Sequence, residues 1–282
     1  MKVLITGGSG QLGQELAPLF AANPRNEVVA LASADCDLAE RDAVLGAVCG
    51  LAPDLIVHAG AMTAVDRCET EPDLAYAVNA LGARHVADGA RRVGAHVVYV
   101  STDYVFDGSK PTPYTEWDDP NPQSVYGRSK LGGEREIDPG WAVVRTSWVS
   151  GAHGANIVKT ILRLADAGAP LAFVTDQRGS PTMAADLAAM VHRLAVDRRP
   201  GLYHVTNQGV VSWWEYARAV VAAGGHAPDR VGAITTAELD PPRPAPRPAN
   251  SALDNAALRL CGLETLPHFE ESLTRLVRRL RA

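Results

Sequence analysis

Tyr126-Gly127-Arg128-Ser129-Lys130 places a phenol and an amine four residues apart. On a helix that spacing brings both onto one face. A tyrosine with its ordinary pKa of about 10 exchanges protons poorly near neutrality. A lysine ammonium one turn away stabilises the phenolate and lowers that value. The pair is therefore a candidate acid–base unit for a carbonyl or an alcohol. An isolated YxxxK arises often by chance, so its placement matters. About two dozen residues earlier an apolar run ends in Ser101-Thr102, which can present a hydroxyl to the same oxygen.

A second constellation opens the chain. Gly7-Gly8-Ser9-Gly10-Gln11-Leu12-Gly13 follows a short apolar run and begins a helical pattern. In such a GxxGxxG loop the glycines allow a tight turn, let the backbone approach a pyrophosphate, and let helix and strand pack closely, while the helix N-terminal N–H groups face the anion. A purely structural turn is the alternative reading. The acid that usually ends the second strand to hold a ribose 2′-hydroxyl is missing: the strand ends Leu31-Ala32-Ser33, with no arginine beside it. NADH and NADPH both remain open. Asp37-Leu38 is placed to edge an adenine, and Asp37 can equally cap a helix from Ala39. Ala61, Met62 and Thr63, after the third strand, are small or slender residues where the middle of a dinucleotide would lie. His58 reads as a packed core residue.

These groups need a frame. Apolar runs at 3–6, 28–31, 55–58, 96–101 and 142–147 alternate with helical patterns at 11–20, 39–49, 73–93 and 126–136. The runs are continuous and lack period-2 alternation, as parallel strands covered on both faces do. The pattern predicts a doubly wound α/β Rossmann sheet over 1–147, completed by about 183–208. Helices at 157–167 and 184–196, a strand at 202–206, and a capping box Ser212/Glu215 before a helix at 214–223 follow. Segments 148–182 and 209–282 are expected to form a smaller substrate-binding lobe. The run 241–248, with its alternating prolines, fits neither helix nor central strand.

The 282 residues carry 27 Lys plus Arg against 32 Asp plus Glu, a net charge of −5, which argues against attraction to nucleic acid or an anionic membrane. No apolar stretch of about 20 residues suggests a membrane span. The start reads as a buried strand rather than a secretory signal, which makes the cytoplasm the expected location. Cys36, Cys49, Cys68 and Cys261 are scattered without ligand spacing and are expected to be free thiols.

Taken together, the glycine loop, Ala59-Gly60-Ala61-Met62-Thr63-Ala64-Val65-Asp66, Ser101-Thr102-Asp103-Tyr104-Val105-Phe106-Asp107-Gly108, Tyr126 to Lys130, Arg145-Thr146-Ser147-Trp148, Asp176 to Thr182 and Arg247-Pro248-Ala249-Asn250-Ser251 give a resemblance over nearly the whole chain. The chain resembles the extended short-chain dehydrogenase/reductase family, and within it the dTDP-4-dehydrorhamnose reductase group. The resemblance implies hydride transfer from NADPH or NADH to the C4 ketone of a dTDP-4-keto-6-deoxy sugar. Tyr126 would protonate the developing alkoxide, Lys130 would tune Tyr126 and hold the nicotinamide ribose, and Thr102 would hydrogen-bond the carbonyl oxygen. Asp103, Tyr104 and Trp148 fall where the family contacts the sugar, although Trp148 can also be an aromatic plug between lobes. Arg243 and Arg247 are candidates to clamp the diphosphate, or merely to solvate a proline-rich loop. Some members carry Mg2+ bridging a homodimer; Glu15 sits at a matching place, and the other ligands have no counterpart we can assign.

Three other readings compete. A dehydratase of this superfamily carries Thr-Asp-Glu after the fourth strand, and here Tyr104 replaces the glutamate, which favours reduction. A reductase of another dTDP-4-keto sugar is not separable by sequence. A non-catalytic relative that binds a dinucleotide as a regulatory subunit has no need of Thr102, Tyr126 and Lys130 together.

Overall fold

A computed structural model describes residues 1–282. The apolar runs become strands β1 (Lys2–Thr6), β2 (Glu27–Leu31), β3 (Leu55–His58), β4 (His96–Thr102) and β5 (Ala142–Thr146). With the strand Gly201–His204 they form a six-stranded sheet in the order Gly201–His204, β5, β4, β3, β1, β2, parallel throughout. β3 is buried along its whole length and β4 everywhere except Val100, which explains the absence of alternation. The chain moves outward from β1 to β2 and then returns to the other side of β1 as β3. That reversal opens a crevice at the carboxyl ends of β1 and β3, where doubly wound sheets bind ligands.

Helices cover both faces. On one, Gln11–Ala21 and Ala184–Val196 pack Leu12, Leu16, Phe20, Leu187 and Val191 against Val3, Ile5 and Val57. On the other, Arg41–Leu51 and Gly82–Val93 pack Val44, Val48, Val86 and Ala90 against Leu4, Ile56 and Val97. Burying one such Leu or Val contributes about 1.5–3 kcal/mol. The helix expected over 73–93 is interrupted: Pro72–Tyr76 runs into a wide π turn, Ala77–Leu81, before Gly82–Val93. Such turns cluster at functional sites, and this one carries the buried Asn79.

The second lobe has its own core. Ile157–Asp166, Trp213–Ala223 and Phe269–Arg281 pack around Val158, Ile161, Tyr216, Val220 and Leu273, flanked by the parallel pair Leu171–Val174 and Val231–Ile234. The capping box forms: Glu215 N–H donates to Ser212 Oγ at 3.1 Å and Ser212 N–H to Glu215 Oε2 at 2.6 Å. The C-terminal stretch does not stay in this lobe. Helix Ala256–Leu260 returns to the large sheet, and Ala257, Leu258, Leu263 and Leu266 join its core. The four cysteines are unpaired, and no helix is long and apolar enough to cross a membrane.

Candidate active site

A cleft of about 720 Å³ runs along the carboxyl ends of the strands. Its floor is the glycine loop. Gly7 adopts φ +70°, and a Cβ there would lie 2.7 Å from Gly60 N. A Cβ at Gly13 would run into the Gly7 carbonyl oxygen. Gly10 caps helix Gln11–Ala21 with no side-chain cap and no acid in the first turn, so the N-terminal N–H groups stay available for an anion. Gln11, Leu12, Ala61, Thr63, Asp37 and Leu38 line the same cleft, and so do Leu31, Ala32 and Ser33 at its far end. Uncapped N–H groups, a glycine cradle that side chains would fill and an elongated cleft together fit a dinucleotide.

At the other end stand Thr102, Tyr126 and Lys130. β4 delivers Thr102 at its last residue; helix Val125–Glu134, capped by Ser124 Oγ on Gly127 N–H at 3.1 Å, delivers the pair. Lys130 Nζ donates to the Val100 carbonyl at 2.8 Å and sits 4.1 Å from the Tyr99 ring centroid. Burial lowers the Lys130 ammonium to about 7, with the Glu134 carboxylate acting against it. Burial also pushes the Tyr126 phenol above its ordinary value, opposed by a hydrogen bond with Thr102. Desolvation, rather than Lys130, governs the tyrosine in the protein's own field. Tyr126 remains protonated at neutral pH, the state a proton donor needs.

Asp103 is buried beneath these groups. Thr102 Oγ1 donates to Asp103 Oδ1 at 3.1 Å and Ser147 Oγ to Oδ2 at 2.9 Å, and desolvation raises the carboxyl to about 6 despite them. Tyr104 meets Tyr126 edge to face at 5.5 Å, and burial pushes its phenol up to about 12. Arg247 lies beside Tyr104 and grips Asp66 through two nitrogens, at 2.5 and 2.8 Å, which holds the Asp66 carboxyl below its usual range. Arg243 reaches Asp66 only at 3.7 Å and is exposed. Neither arginine lines the cleft itself; Arg247 meets it through Tyr104. Trp148 lines the cleft with φ +48°, a backbone region unusual for a tryptophan. Its ring lies parallel to Trp213 at 3.6 Å between centroids, and both pack on the core of the second lobe, which thereby supplies this wall of the cleft.

Some expectations shift. Met62 packs with Cys68, Ala75 and Val125 rather than entering the cleft; its backbone, not its side chain, is fixed, by Asn79 Oδ1 accepting from Met62 N at 2.8 Å. Asp37 does not cap the helix, which begins at Arg41; its carboxylate accepts from Ala39 N–H in a turn two residues earlier. Glu15 is held by Arg279 at 2.7 and 3.0 Å and by His153 at 3.6 Å, and no group of three or more His, Cys, Asp or Glu side chains converges that could hold a metal ion. Within the single chain Glu15 faces a cation and an imidazole rather than further carboxylates. His58 is a core residue as expected: Thr6 Oγ1 lies 2.6 Å from Nδ1, and burial lowers its pKa to about 3.

Asn79, Ser147, Asp66 and Trp213 belong to the site without having been assigned a role from sequence. Asp66 and Ser147 lie inside segments that carry the resemblance, and Asn79 is a polar residue inside an apolar helical pattern.

A family model, the RmlD substrate binding domain, matches residues 1–282. A dTDP-4-dehydrorhamnose reductase of Sinorhizobium fredii is 42% identical, with 98% of this chain and 97% of that protein aligned. The spore coat polysaccharide biosynthesis protein SpsK of Bacillus subtilis is 40% identical over 96% of this chain and 95% of its own. The crystal structure of dTDP-4-dehydrorhamnose reductase from Bacillus anthracis in complex with NADP superposes with a TM-score of 0.92 at 38% identity, covering 98% of both chains. The chain therefore belongs to the RmlD substrate-binding family, that of the dTDP-4-dehydrorhamnose reductases.

Proposed function

We propose that the protein reduces the C4 ketone of dTDP-4-dehydro-β-L-rhamnose to dTDP-L-rhamnose, using NADPH or NADH. The observation that carries this reading is that one cleft joins the glycine loop to Thr102, Tyr126 and Lys130. When bound, the reduced nicotinamide supplies the hydride. The Gly7, Gly10 and Gly13 loop and the first turn of the helix after it bind the pyrophosphate, with Leu31 to Ser33, Asp37 and Leu38 along the adenosine and Ala61 and Thr63 along its middle. Lys130, with one of its protons on Val100 O, keeps others for a ribose hydroxyl.

Tyr126 gives its phenolic proton to the C4 oxygen as negative charge develops there, and Thr102 turns its one hydroxyl proton from Asp103 Oδ1 to the same oxygen. Lys130 stabilises the phenolate that remains. Asp103 and Ser147 orient Thr102, while Tyr104 and Trp148 wall the sugar. Arg247, held by Asp66, and Arg243, exposed and paired with Asp66 only at 3.7 Å, are the cations that would turn toward the diphosphate. Residues 1–147 and 183–208 serve as the dinucleotide-binding unit, and the remainder chiefly as the lobe that closes on the sugar nucleotide. In this reading the enzyme works in the cytoplasm, and no step draws on a membrane, a nucleic acid or a second subunit.

The test is oxidation of NADPH and of NADH by purified protein given dTDP-4-keto-6-deoxyglucose, with and without the matching 3,5-epimerase. Consumption that requires the epimerase and yields dTDP-L-rhamnose is expected. Consumption without it points to another dTDP-deoxysugar, and none under either condition, despite dinucleotide binding, sinks the enzymatic reading.

A further inference from the structure

Glu134 lies one turn beyond Lys130, so Tyr126, Lys130 and Glu134 share one helix face. Its carboxylate accepts from Arg145 Nε at 2.9 Å, from Arg145 Nη2 at 2.7 Å and from Ser101 Oγ at 2.5 Å. The two charged side chains are 8% and 3% exposed, and the Arg145 cation lies 5.1 Å from the Phe106 ring. A buried ion pair is weak evidence for stability, because apolar residues of the same volume usually serve as well. Another reason for it is visible in where its members sit. Ser101 precedes Thr102 on β4, Arg145 stands two residues before Ser147 on β5, and Glu134 ends the helix of Tyr126 and Lys130. Three elements that each deliver a reacting or supporting group are strapped together at one carboxylate.

We propose that the Glu134–Arg145–Ser101 cluster is the positioning device of the catalytic face, and that Glu134 supplies the negative charge that keeps Lys130 an ammonium. The groups facing Lys130 are His58 from β3, Tyr99 and the Val100 carbonyl from β4, Tyr126 and Glu134 from its own helix, and Arg145 from β5 through Glu134. His58 is neutral by burial, and the two phenols are protonated. Beside the Val100 carbonyl and the Tyr99 ring, Glu134 is the one charged group that opposes the desolvation of the ammonium. Arg145 in turn limits how much of that charge Lys130 receives. Only the kinetic arm below rests on the reductase reading.

The chain has four lysines, Lys2, Lys110, Lys130 and Lys159, so 13Cε-lysine labelling of the full chain gives four titrating NMR signals, with Lys130 assigned by its loss in Lys130→Arg. Glu134→Gln is expected to lower the Lys130 midpoint by about one pH unit or more, and Arg145→Met to raise it. Opposite shifts from two changes in one cluster are not what loosened packing produces. Midpoints that stay within about 0.2 unit of wild type, or that move the same way in both variants, overturn the proposal. Dinucleotide binding reports folding. Where a single variant fails to fold, the double variant Glu134→Gln/Arg145→Met, which leaves no lone buried charge, decides: a lower Lys130 midpoint supports the proposal and an unchanged one defeats it. With the sugar nucleotide, the uncharged change Ser101→Ala is expected to lower kcat roughly threefold to tenfold at constant dinucleotide KM and constant Lys130 midpoint. An unchanged kcat removes the positioning role. A wild-type protein that turns over nothing refutes the reductase reading while leaving the titration to judge the cluster.

Discussion

At one end of the cleft Gly7, Gly10 and Gly13 work by what they lack: no Cβ, no cap and no charge stand between the backbone N–H groups and an anion. At the other end Asp103, Ser147, Tyr104, Arg247 and Asp66 hold one another through side chains drawn from sequence positions as far apart as 66 and 247. The first end suits a ligand whose shared part is always the same, a pyrophosphate, which bare backbone recognises without discrimination. The second must orient one sugar and protonate one oxygen, so it needs specific groups fixed by neighbours. Damage at the glycine end should therefore appear as lost dinucleotide affinity, and damage at the sugar end as lost turnover or lost sugar-nucleotide affinity.

The sharpest separation of the two ends comes from Tyr126→Phe, which removes the proton donor and keeps the ring. Turnover is expected to fall by roughly 100-fold or more, with the dinucleotide Kd unchanged in a fluorescence titration; near-wild-type turnover would mean that another group is the acid. Gly13→Ala tests the opposite end. Its new methyl meets the Gly7 carbonyl oxygen, and the dinucleotide Kd should rise by about tenfold, or about 1.4 kcal/mol, while the small fraction of loaded enzyme turns over normally. A Kd that does not move contradicts the cradle.

Arg247→Ala is expected to raise the sugar-nucleotide KM several-fold with little change in dinucleotide KM, and Asp66→Ala to do the same more weakly, because it frees Arg247 without removing it. Equal effects on both KM values would erase the distinction between the ends.

A further effect, on stability rather than on binding or turnover, concerns pH. Burial raises the Asp103 carboxyl in the folded protein to about 6, above its ordinary value. The folded state therefore holds this proton more tightly than the unfolded chain, and the stability it contributes is full below the ordinary carboxylate value and is lost as pH rises through about 6. Asp103→Asn should raise thermal stability relative to wild type at pH 8, by up to about 3 kcal/mol less whatever the amide forfeits in hydrogen bonds from Thr102 and Ser147. The gain should shrink toward pH 5. A gain that is the same at both values would show that Asp103 is ionised throughout.

How much of this was visible in the residues follows the same division. The glycine loop and Tyr126/Lys130 were legible because their logic is local: a turn that needs positive φ, and a helical spacing that fixes a shared face. The parallel sheet was legible because strands buried on both faces have no polar alternation to hide. Asp66 with Arg247 and the Trp148/Trp213 stack were not, since only the tertiary fold brings residues 181 and 65 positions apart into contact. The burial of the tyrosine was not legible for a related reason: the spacing announces the lysine, whereas the desolvation that raises the phenol belongs to the whole cleft.

The wide turn at Ala77–Leu81 sets a limit on how this chain can change in length. It holds one residue more than an α-helix spends on the same path, so the stretches before and after it differ in phase by about 100°. Deleting any one residue of the turn would yield an unbroken helix, a gain by local criteria. It would also rotate Asn79 away from Met62 and Ser129, or else Val86 and Ala90 away from the sheet. The helix can satisfy both of its neighbours only while it remains one residue too long.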